Sequence, residues 1–291
     1  MSESLGVGAA EGGAPVRRAA VLGKPVRHSL SPVLHNAAYA ALGLRGWHYD
    51  LFECDEAGLP GFVSRLGPEW AGLSLTMPLK RVALTVADQV SPLATAVGAA
   101  NTLVLGVANG RPTRRAENTD VAGIVAALRE AGLPRAERAV VLGAGGTAQA
   151  ALAALQTLGV TAPTIVVRAP ERAADLVAAA RRLGVRPVVL GGYPLTRLPD
   201  ADVVISTLPP GVADAITDHL IAPTTVVLDV VYVPWPTRFA AAAMAAGCRV
   251  VSGLTVLLHQ AVAQVELMTG RPGPVEPMRE ALYAAVRGRA S

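Results

Sequence analysis

The chain has 291 residues with a net charge of +4, and 52% of its residues are hydrophobic but only 4% aromatic. This length favours two modest domains, and apolar mass dominated by Ala, Val and Leu is typical of helices packed on parallel strands. The basic residues are scattered without interleaved aromatics, which argues against nucleic-acid binding. No apolar run approaches the ~20 residues of a membrane-spanning helix, which argues against a membrane protein.

The N-terminal segment and the cysteines indicate the compartment. Residues 1–15 are rich in Gly and Ala and lack the basic-then-apolar pattern of a signal peptide, so we predict a disordered tail. Cys54 and Cys248 lie far apart and in no metal-ligand spacing. We therefore expect a reducing cytoplasm, two ordinary packed thiols and no metal site.

Strands and helices alternate in the first part of the chain. The pattern predicts strands over residues 18–22, 47–53 and 71–76 and helices over residues 32–42 and 57–66. Such alternation implies parallel strands with helices on the sheet faces. A polar, arginine-rich stretch over residues 109–118 interrupts the pattern.

The alternation restarts with a helix over residues 121–131 and continues with six strands. These are predicted over residues 139–142, 164–167, 187–190, 202–206, 226–230 and 249–251. Six strands match a doubly wound dinucleotide domain. Two final helices, over residues 254–268 and 275–287, are not needed to complete that sheet, so we expect them to pack back on the first domain.

These patterns predict an α/β protein of two domains. Residues 16–120 and 254–291 are expected to form an α/β substrate-binding and catalytic domain. Residues 121–253 are expected to form a Rossmann-like, doubly wound dinucleotide domain.

A glycine-rich turn between a strand and a helix predicts where a dinucleotide binds. Glycines let the backbone turn sharply and let a pyrophosphate approach the amides at a helix N-terminus. The alternative is a tight strand-to-helix turn without a ligand. The residues of this predicted cofactor site are Gly143, Ala144, Gly145, Gly146, Thr147 and Ala148.

The end of the next strand favours NADP(H) over NAD. An NAD site usually carries an acidic residue there, which accepts hydrogen bonds from the ribose hydroxyls. This chain has Arg168 instead, with Arg172 four residues later. Two guanidinium groups suit a 2′-phosphate. Glu171 leaves an alternative open, since it could pair with either arginine at the surface.

Lysine is rare, because 24 of the 26 basic residues are arginine and only Lys24 and Lys80 remain. Arginine does not release a proton near neutral pH, so a retained lysine indicates a chemical requirement. Lys80 follows Pro78 where a predicted strand passes into a helix, a place from which an ammonium group can reach a cleft. The helix dipole disfavours a cation there, which weakens the alternative of a plain exposed lysine.

Several polar segments in the chain are hard to explain as scaffold, among them a Ser-x-Ser-Pro motif at residues 29–32 and Asn-Thr-Asp at residues 118–120. In order and spacing these segments resemble the signature blocks of the shikimate dehydrogenase family, from about residue 20 to residue 270. The segments lie at residues 23–36, 74–80, 98–102, 117–120, 229–234 and 253–261.

The resemblance implies a catalytic pair. Lys80 matches the family's acid/base, and Asp120 matches its partner, which bonds both the lysine and the substrate. A hydride delivered to a ketone leaves an alkoxide, so the site must supply a proton as that charge develops. For Asp120 a helix N-cap role stays open as well, since an apolar helical pattern begins at Val121.

The resemblance also implies the substrate contacts. Ser29 and Ser31 match hydroxyls that bind a carboxylate, with helix capping as the alternative, and Tyr232 matches a residue beside that carboxylate. Thr76, Asn101 and Gln260 match residues that hold ring hydroxyls. For Gln260 the alternative is a polar side chain facing solvent. The predicted cofactor site further includes Thr207 and Gly253.

The implied activity is the reversible, NADP-dependent reduction of 3-dehydroshikimate to shikimate in chorismate and aromatic amino-acid biosynthesis. The expected partner is this small-molecule substrate, with no nucleic acid and no membrane, and the resemblance allows a homodimer. Two alternatives remain. One is an NAD-dependent quinate or quinate/shikimate dehydrogenase of the same family. The other is a sensor or repressor that binds the metabolite without catalysis.

Overall fold

The computed structural model of the protein describes residues 16–192, 198–216 and 222–290. The predicted tail over residues 1–15 lies outside these ranges. Within them the strands form two six-stranded sheets, and helices flank both. The α/β class and the two-sheet arrangement expected from the sequence are confirmed. No helix in the described ranges is long and apolar enough to cross a membrane.

The first sheet begins with parallel strands, as the alternation predicts. Strand β1 pairs in parallel with both β2 and β3, and the buried interior of β3 is apolar except for Ser74. The elements are β1 (Arg17–Gly23), α1 (Ser31–Ala41), β2 (Trp47–Glu53), α2 (Leu59–Ser64) and β3 (Trp70–Leu75).

The rest of the first sheet differs from the prediction. The arginine-rich stretch is not an interruption, because β6 (Arg111–Glu117) pairs antiparallel with β5 (Thr102–Ala108), and β5 pairs antiparallel with β3. Asn109 and Gly110 form the two-residue loop between these strands, and both have a positive φ. An Asn-Gly pair is a strong local signal for a β-hairpin, but hydrophobic periodicity does not detect it. The strand was missed because only one of its seven residues, Ala116, is buried, so it carries no apolar alternation.

Three short elements between β3 and β5 were also not predicted. They are α3 (Ala83–Val86), β4 (Gln89–Val90) and α4 (Pro92–Val97). Strand β4 completes the sheet, whose order is β2-β1-β3-β5-β6-β4. Elements this short carry too few residues for a recognisable period.

The second sheet confirms the predicted count of six strands, all parallel, in the order β12-β11-β10-β7-β8-β9. This is the order of a doubly wound dinucleotide fold, in which the chain reverses direction beside β7. The strands are β7 (Ala139–Leu142), β8 (Thr164–Val167), β9 (Val188–Gly191), β10 (Val203–Ser206), β11 (Val226–Asp229) and β12 (Arg249–Ser252).

Helices cover the second sheet and tie it to the first. A 3₁₀ turn over Pro170–Ala173 precedes α7, so Arg172 lies in that turn rather than in the helix. A second 3₁₀ segment spans Val212–Ile216. The α-helices are α5 (Asp120–Glu130), α6 (Gly146–Thr157), α7 (Ala174–Leu183), α8 (Arg238–Ala245), α9 (Gly253–Thr269) and α10 (Val275–Ala290).

The two C-terminal helices return to the first sheet, as expected. Leu258 and Val265 of α9 and Met278 and Leu282 of α10 share one buried apolar cluster with Leu34 of α1. Helix α9 also packs against β3 and β5 and runs closely along α5. The N-terminal end of α9 is thereby held between the two sheets.

Candidate active site

A cleft of about 370 Å³ opens between the two sheets, where β1, β3 and β11 end and where α5 and α9 begin. The six predicted substrate contacts and the two residues of the predicted catalytic pair all line this cleft, although the first and the last are 231 positions apart in the sequence. They are Ser29, Ser31, Thr76, Lys80, Asn101, Asp120, Tyr232 and Gln260.

An ion pair stands in the cleft wall. Lys80 Nζ donates to Asp120 Oδ2 at 2.6 Å, and the two side chains are only 22% and 13% exposed. Lys80 lies in the turn that follows β3 and not at a helix start, since α3 begins at Ala83. Asp120 opens α5 but does not cap it, because the N-cap residue is Thr119. The carboxylate instead faces the cleft, where it can hold an ammonium group and a substrate hydroxyl.

Asn101 connects this pair to the rest of the wall. Its Nδ2 donates to Asp120 Oδ1 at 2.9 Å, to Thr119 Oγ1 at 2.9 Å and to Gln260 Oε1 at 3.3 Å. Its Oδ1 accepts from the Thr119 amide and from the Thr102 hydroxyl, at 2.8 Å and 3.0 Å. Because donors surround the oxygen, the amide nitrogen must face Asp120. Gln260 is 7% exposed and faces the cleft, so the solvent-facing alternative is wrong.

Behind the cleft lies a buried chain of polar side chains that the sequence did not reveal. Tyr49 Oη donates to Ser74 Oγ at 2.6 Å, and Ser74 donates to Gln264 Oε1 at 2.8 Å. His35 Nε2 donates to the same oxygen at 3.2 Å, while Gln264 Nε2 donates to Thr102 Oγ1 at 2.9 Å. Ser74 and Gln264 themselves line the cleft. The signal in the sequence that could have revealed this chain is a polar residue within a buried strand and another on an otherwise apolar helix face.

The opposite end of the cleft is lined by hydroxyl groups. Ser31 is 5% exposed, and its amide donates to Ser29 Oγ at 3.2 Å, so the first serine does stabilise the turn before α1. Both hydroxyls nevertheless reach the cleft, as does the half-buried Tyr232, whose pKa is raised by burial. His28 also lines this end and was not predicted. Hydroxyl donors of this kind suit a carboxylate.

The glycine-rich turn fits a dinucleotide. Gly143 has a φ of +106°, and a Cβ there would lie 2.5 Å from Thr207 Oγ1, so a side chain is excluded. Gly145 and Gly146 face open space, and no side chain caps the N-terminus of α6. The first amides of this helix are thus free of side-chain partners and accessible to an anion such as a pyrophosphate.

Arg168 and Arg172 line a second cleft of about 320 Å³ together with Gly143 and Ala144. Both guanidinium groups are exposed, and neither forms an ion pair with Glu171 in the described part of the chain. The two cations are therefore available to a phosphate beside the glycine turn, and the alternative raised by Glu171 has no support.

The remaining predicted cofactor residues take different places. Thr147 lines the substrate cleft and also the adjoining space of about 350 Å³ beside Gly145 and Gly146. Ala148 of α6 is fully buried in the apolar core and does not face the cleft. The Thr207 hydroxyl donates to the Leu142 carbonyl at 2.8 Å.

Gly253 lies in the wall of the substrate cleft, where a Cβ would clash with the Val230 carbonyl oxygen. Ala148, Thr207 and Gly253 therefore shape the backbone around the site.

The space beside the glycine turn also joins the two sheets. Thr76 and Lys80 line it from the first sheet, and Thr147 lines it from the second. Arg81 spans the same gap through an ion pair with Asp175 of α7, with Nη2 and Oδ2 at 2.8 Å. A nicotinamide group extending from the glycine turn into this space would approach Lys80, so the arrangement can support hydride and proton transfer to one substrate.

Two family models match the chain. The shikimate dehydrogenase substrate binding domain matches residues 21–103. The shikimate 5′-dehydrogenase C-terminal domain matches residues 253–283. The first segment contains Lys80 and Asn101, and the second contains Gln260.

The chain also resembles whole proteins. It is 39% identical over 288 residues to the shikimate dehydrogenase (NADP(+)) of Moorella thermoacetica, covering 94% of this chain and 96% of that protein. The Mycobacterium tuberculosis shikimate dehydrogenase crystal structure gives a TM-score of 0.82 at 47% identity, covering 92% of this chain and 99% of that chain. The Thermus thermophilus shikimate 5-dehydrogenase structure with NADP(H) and shikimate gives 0.78 at 33% identity, covering 93% and 100%.

Proposed function

The chain belongs to the shikimate dehydrogenase family, and on that premise we propose that it catalyses the reversible, NADP-dependent reduction of 3-dehydroshikimate to shikimate. The observation that carries the proposal is the Lys80–Asp120 pair in a cleft continuous with the glycine-rich turn. This reaction belongs to chorismate and aromatic amino-acid biosynthesis.

The reaction needs a proton donor beside the carbonyl oxygen. When bound, NADPH supplies the hydride. Lys80 Nζ gives a proton to the oxygen as negative charge develops there, and in the oxidation direction it takes the hydroxyl proton. Asp120 orients the ammonium group through the 2.6 Å contact. Asn101 keeps the carboxylate in place through its 2.9 Å bond to Oδ1.

The other cleft residues recognise the substrate. Ser29, Ser31 and Tyr232 bind the carboxylate, while Thr76, Asn101 and Gln260 hold the ring hydroxyls. A ligand without those hydroxyls cannot form hydrogen bonds with these groups, so such analogues bind less tightly.

Two regions of the second sheet hold the cofactor. The amides of Gly145, Gly146 and Thr147 at the start of α6 bind the pyrophosphate. Arg168 and Arg172 bind the 2′-phosphate, which distinguishes NADP from NAD. The clear space at Gly145 and Gly146 and the absence of a Glu171 ion pair in the described residues support both assignments.

The test is absorbance at 340 nm with purified protein, shikimate and either NADP⁺ or NAD⁺. We expect rapid reduction of NADP⁺ and little reduction of NAD⁺. A preference for NAD⁺ would favour the quinate/shikimate dehydrogenase alternative and overturn the roles of Arg168 and Arg172. Binding of shikimate by folded protein without reduction of either cofactor would favour the metabolite sensor.

Location and assembly extend the proposal. We propose that the enzyme works in the cytoplasm, which is supported by two buried cysteines that form no disulfide. For the assembly we propose a homodimer, and light scattering during size-exclusion chromatography would measure its mass. A monomeric mass would contradict that proposal.

A further inference from the structure

Given the proposed function, the substrate cleft must bind an anion. Shikimate carries a carboxylate, but the cations and anions in the described cleft wall largely cancel. Lys80 is paired with Asp120 at 2.6 Å. At the end lined by Ser29, Ser31 and Tyr232, the polar groups are hydroxyls and the imidazole of His28. A positive charge close to this end would strengthen the binding of an anion beyond what these hydroxyl groups provide.

Two cations on the loop before Ser29 are already paired. Lys24 Nζ lies 3.0 Å from Asp55 Oδ2, and Arg27 Nε lies 3.1 Å from Glu53 Oε1. Each carboxylate cancels much of the charge of its partner.

A third cation reaches the same place from the other end of the chain. Arg289 in the last turn of α10 donates from Nη1 to the carbonyl oxygen of His28 at 2.9 Å. Its guanidinium group also acts on Tyr232, lowering the phenol pKa against the larger, raising effect of burial. Within the described residues Arg289 has no carboxylate within ion-pair distance. Among the residues that the structure describes, no carboxylate therefore offsets this charge beside His28 and Tyr232.

Packing of α10 explains why this arginine is held there. Met278 and Leu282 are fully buried against α1 and α9, and Tyr283 packs on the same cluster as Tyr232. The C-terminal turn of α10 is thereby held beside His28, which lines the cleft, while Arg289 itself lies outside the cleft wall. Arg289 bonds a backbone carbonyl with one of its five N–H groups, which leaves donors for a ligand.

We propose that Arg289 is a specificity-determining residue that supplies the positive charge for the substrate carboxylate and selects anionic over neutral substrates. The inference rests on the proposed function, because it presumes that shikimate binds in this cleft. Arg289 takes no part in proton transfer, so it affects substrate binding far more than turnover.

The test compares Arg289→Met with Arg289→Lys and with Arg287→Met. The last is a matched control, since it removes an exposed arginine from the same helical turn. At low ionic strength we expect Arg289→Met to raise KM for shikimate about 3–20-fold with kcat nearly unchanged. Arg289→Lys should recover part of the affinity, and Arg287→Met should resemble the wild type.

Two further readouts separate a charge effect from a structural one. Added salt should raise KM for shikimate in the wild type and much less in Arg289→Met, because screening acts on a charge that the variant lacks. With the neutral methyl ester of shikimate, wild type and variant should have the same KM. Equal losses for acid and ester, or equal effects of the two methionine variants, would overturn the inference.

The proposed function and this inference fail in different ways. A wild-type protein that does not oxidise shikimate contradicts the proposed function alone. Calorimetric titration of shikimate into wild type and Arg289→Met then measures the charge effect directly. Equal dissociation constants, or no binding to the wild type, would contradict the role of Arg289.

Discussion

At the scale of single residues, the site depends on side chains that no other residue type can replace chemically. Lys80 must be a lysine because arginine holds its protons too tightly to act as an acid or base. The other lysine, Lys24, is exposed and bonds Asp55 at the surface. The chain therefore contains a catalytic candidate and a natural control of the same residue type.

Lys80→Ala removes the proposed proton donor. We expect kcat for shikimate oxidation to fall by about 10²–10⁴ while the protein stays folded, since general acid–base catalysis contributes a factor of this size. Steady-state rates and circular dichroism would measure this. Lys24→Ala should keep its turnover. Near-normal turnover in Lys80→Ala would refute the role of this lysine.

Arg168→Ala tests the phosphate contact. Losing a charge-assisted hydrogen bond costs about 1.5–3 kcal/mol, so KM for NADP⁺ should rise by about 10–150-fold with little change for NAD⁺. Arg181→Ala, an exposed arginine on α7, serves as the control. An equal rise in KM for NADP⁺ and NAD⁺ would show that Arg168 does not bind the 2′-phosphate.

At the scale of elements, the close approach of α5 and α9 assembles the catalytic wall. A Cβ on Gly123 would lie 2.8 Å from the Val256 carbonyl oxygen and 3.0 Å from the Gln260 amide nitrogen. The contacts are with backbone atoms, so no side-chain rotation can relieve them. This glycine lets Asp120 on one helix and Gln260 on the other both meet Asn101.

Gly123→Ala should force the two helices apart. We expect the free energy of unfolding to fall by about 1–3 kcal/mol, the usual cost of overpacking, and KM for shikimate to rise because Gln260 is displaced. Urea denaturation and steady-state kinetics would measure both.

Gly61→Ala provides the matched control, since Gly61 is also helical but its Cβ would only approach the Arg65 side chain, at 3.4 Å. That change should stabilise the protein by about 0.5–1 kcal/mol, as alanine favours helix. Destabilisation by both variants would indicate general sensitivity to helical alanine and not a specific close approach.

At the scale of the whole molecule, polar groups are buried where the first sheet meets the returning helix α9. His35 is fully buried, stacks on Tyr49 with ring centroids 4.0 Å apart and bonds Gln264. Burial lowers the pKa of His35 from 6.5 to about 3. The folded protein therefore holds this imidazole neutral at pH values where the unfolded chain would protonate it.

Stability should therefore depend on pH through His35. The contribution of the neutral His35 to the free energy of unfolding is complete above pH 6.5. It is lost as the pH falls toward about 3, because the unfolded state binds a proton that the folded state does not. The expected slope is about 1.4 kcal/mol per pH unit. Urea denaturation between pH 7 and 5 should show this slope in the difference between wild type and His35→Gln.

His48→Gln is the matched control, because His48 is exposed on β2. Its unfolding free energy should follow the wild-type pH dependence. If the wild type and His35→Gln show the same pH dependence, His35 is not held neutral in the folded protein.

The sequence by itself determined the class of the fold and the chemical groups of the cleft. The six parallel strands of the second sheet were predictable because each is a short, mostly apolar run bounded by turn residues. Lys80 stood out because lysine is rare in this chain, whereas Asp120 and Asn101 were identified through the resemblance of their polar segments to the family's signature blocks. The Asn109–Gly110 hairpin was missed although its signal is local, because the exposed β6 lacks apolar alternation.

Only the tertiary structure decided which distant groups meet. Ser74 and Gln264 are 190 residues apart, and Arg289 is 261 residues from the carbonyl that it bonds. Such pairs depend on how α9 and α10 fold back over the first sheet, and no local sequence pattern predicts that path of the chain. The direction of a buried side chain follows from the packing around it, which is why Gln260 faces the cleft and Asp120 bonds Lys80 rather than capping its helix.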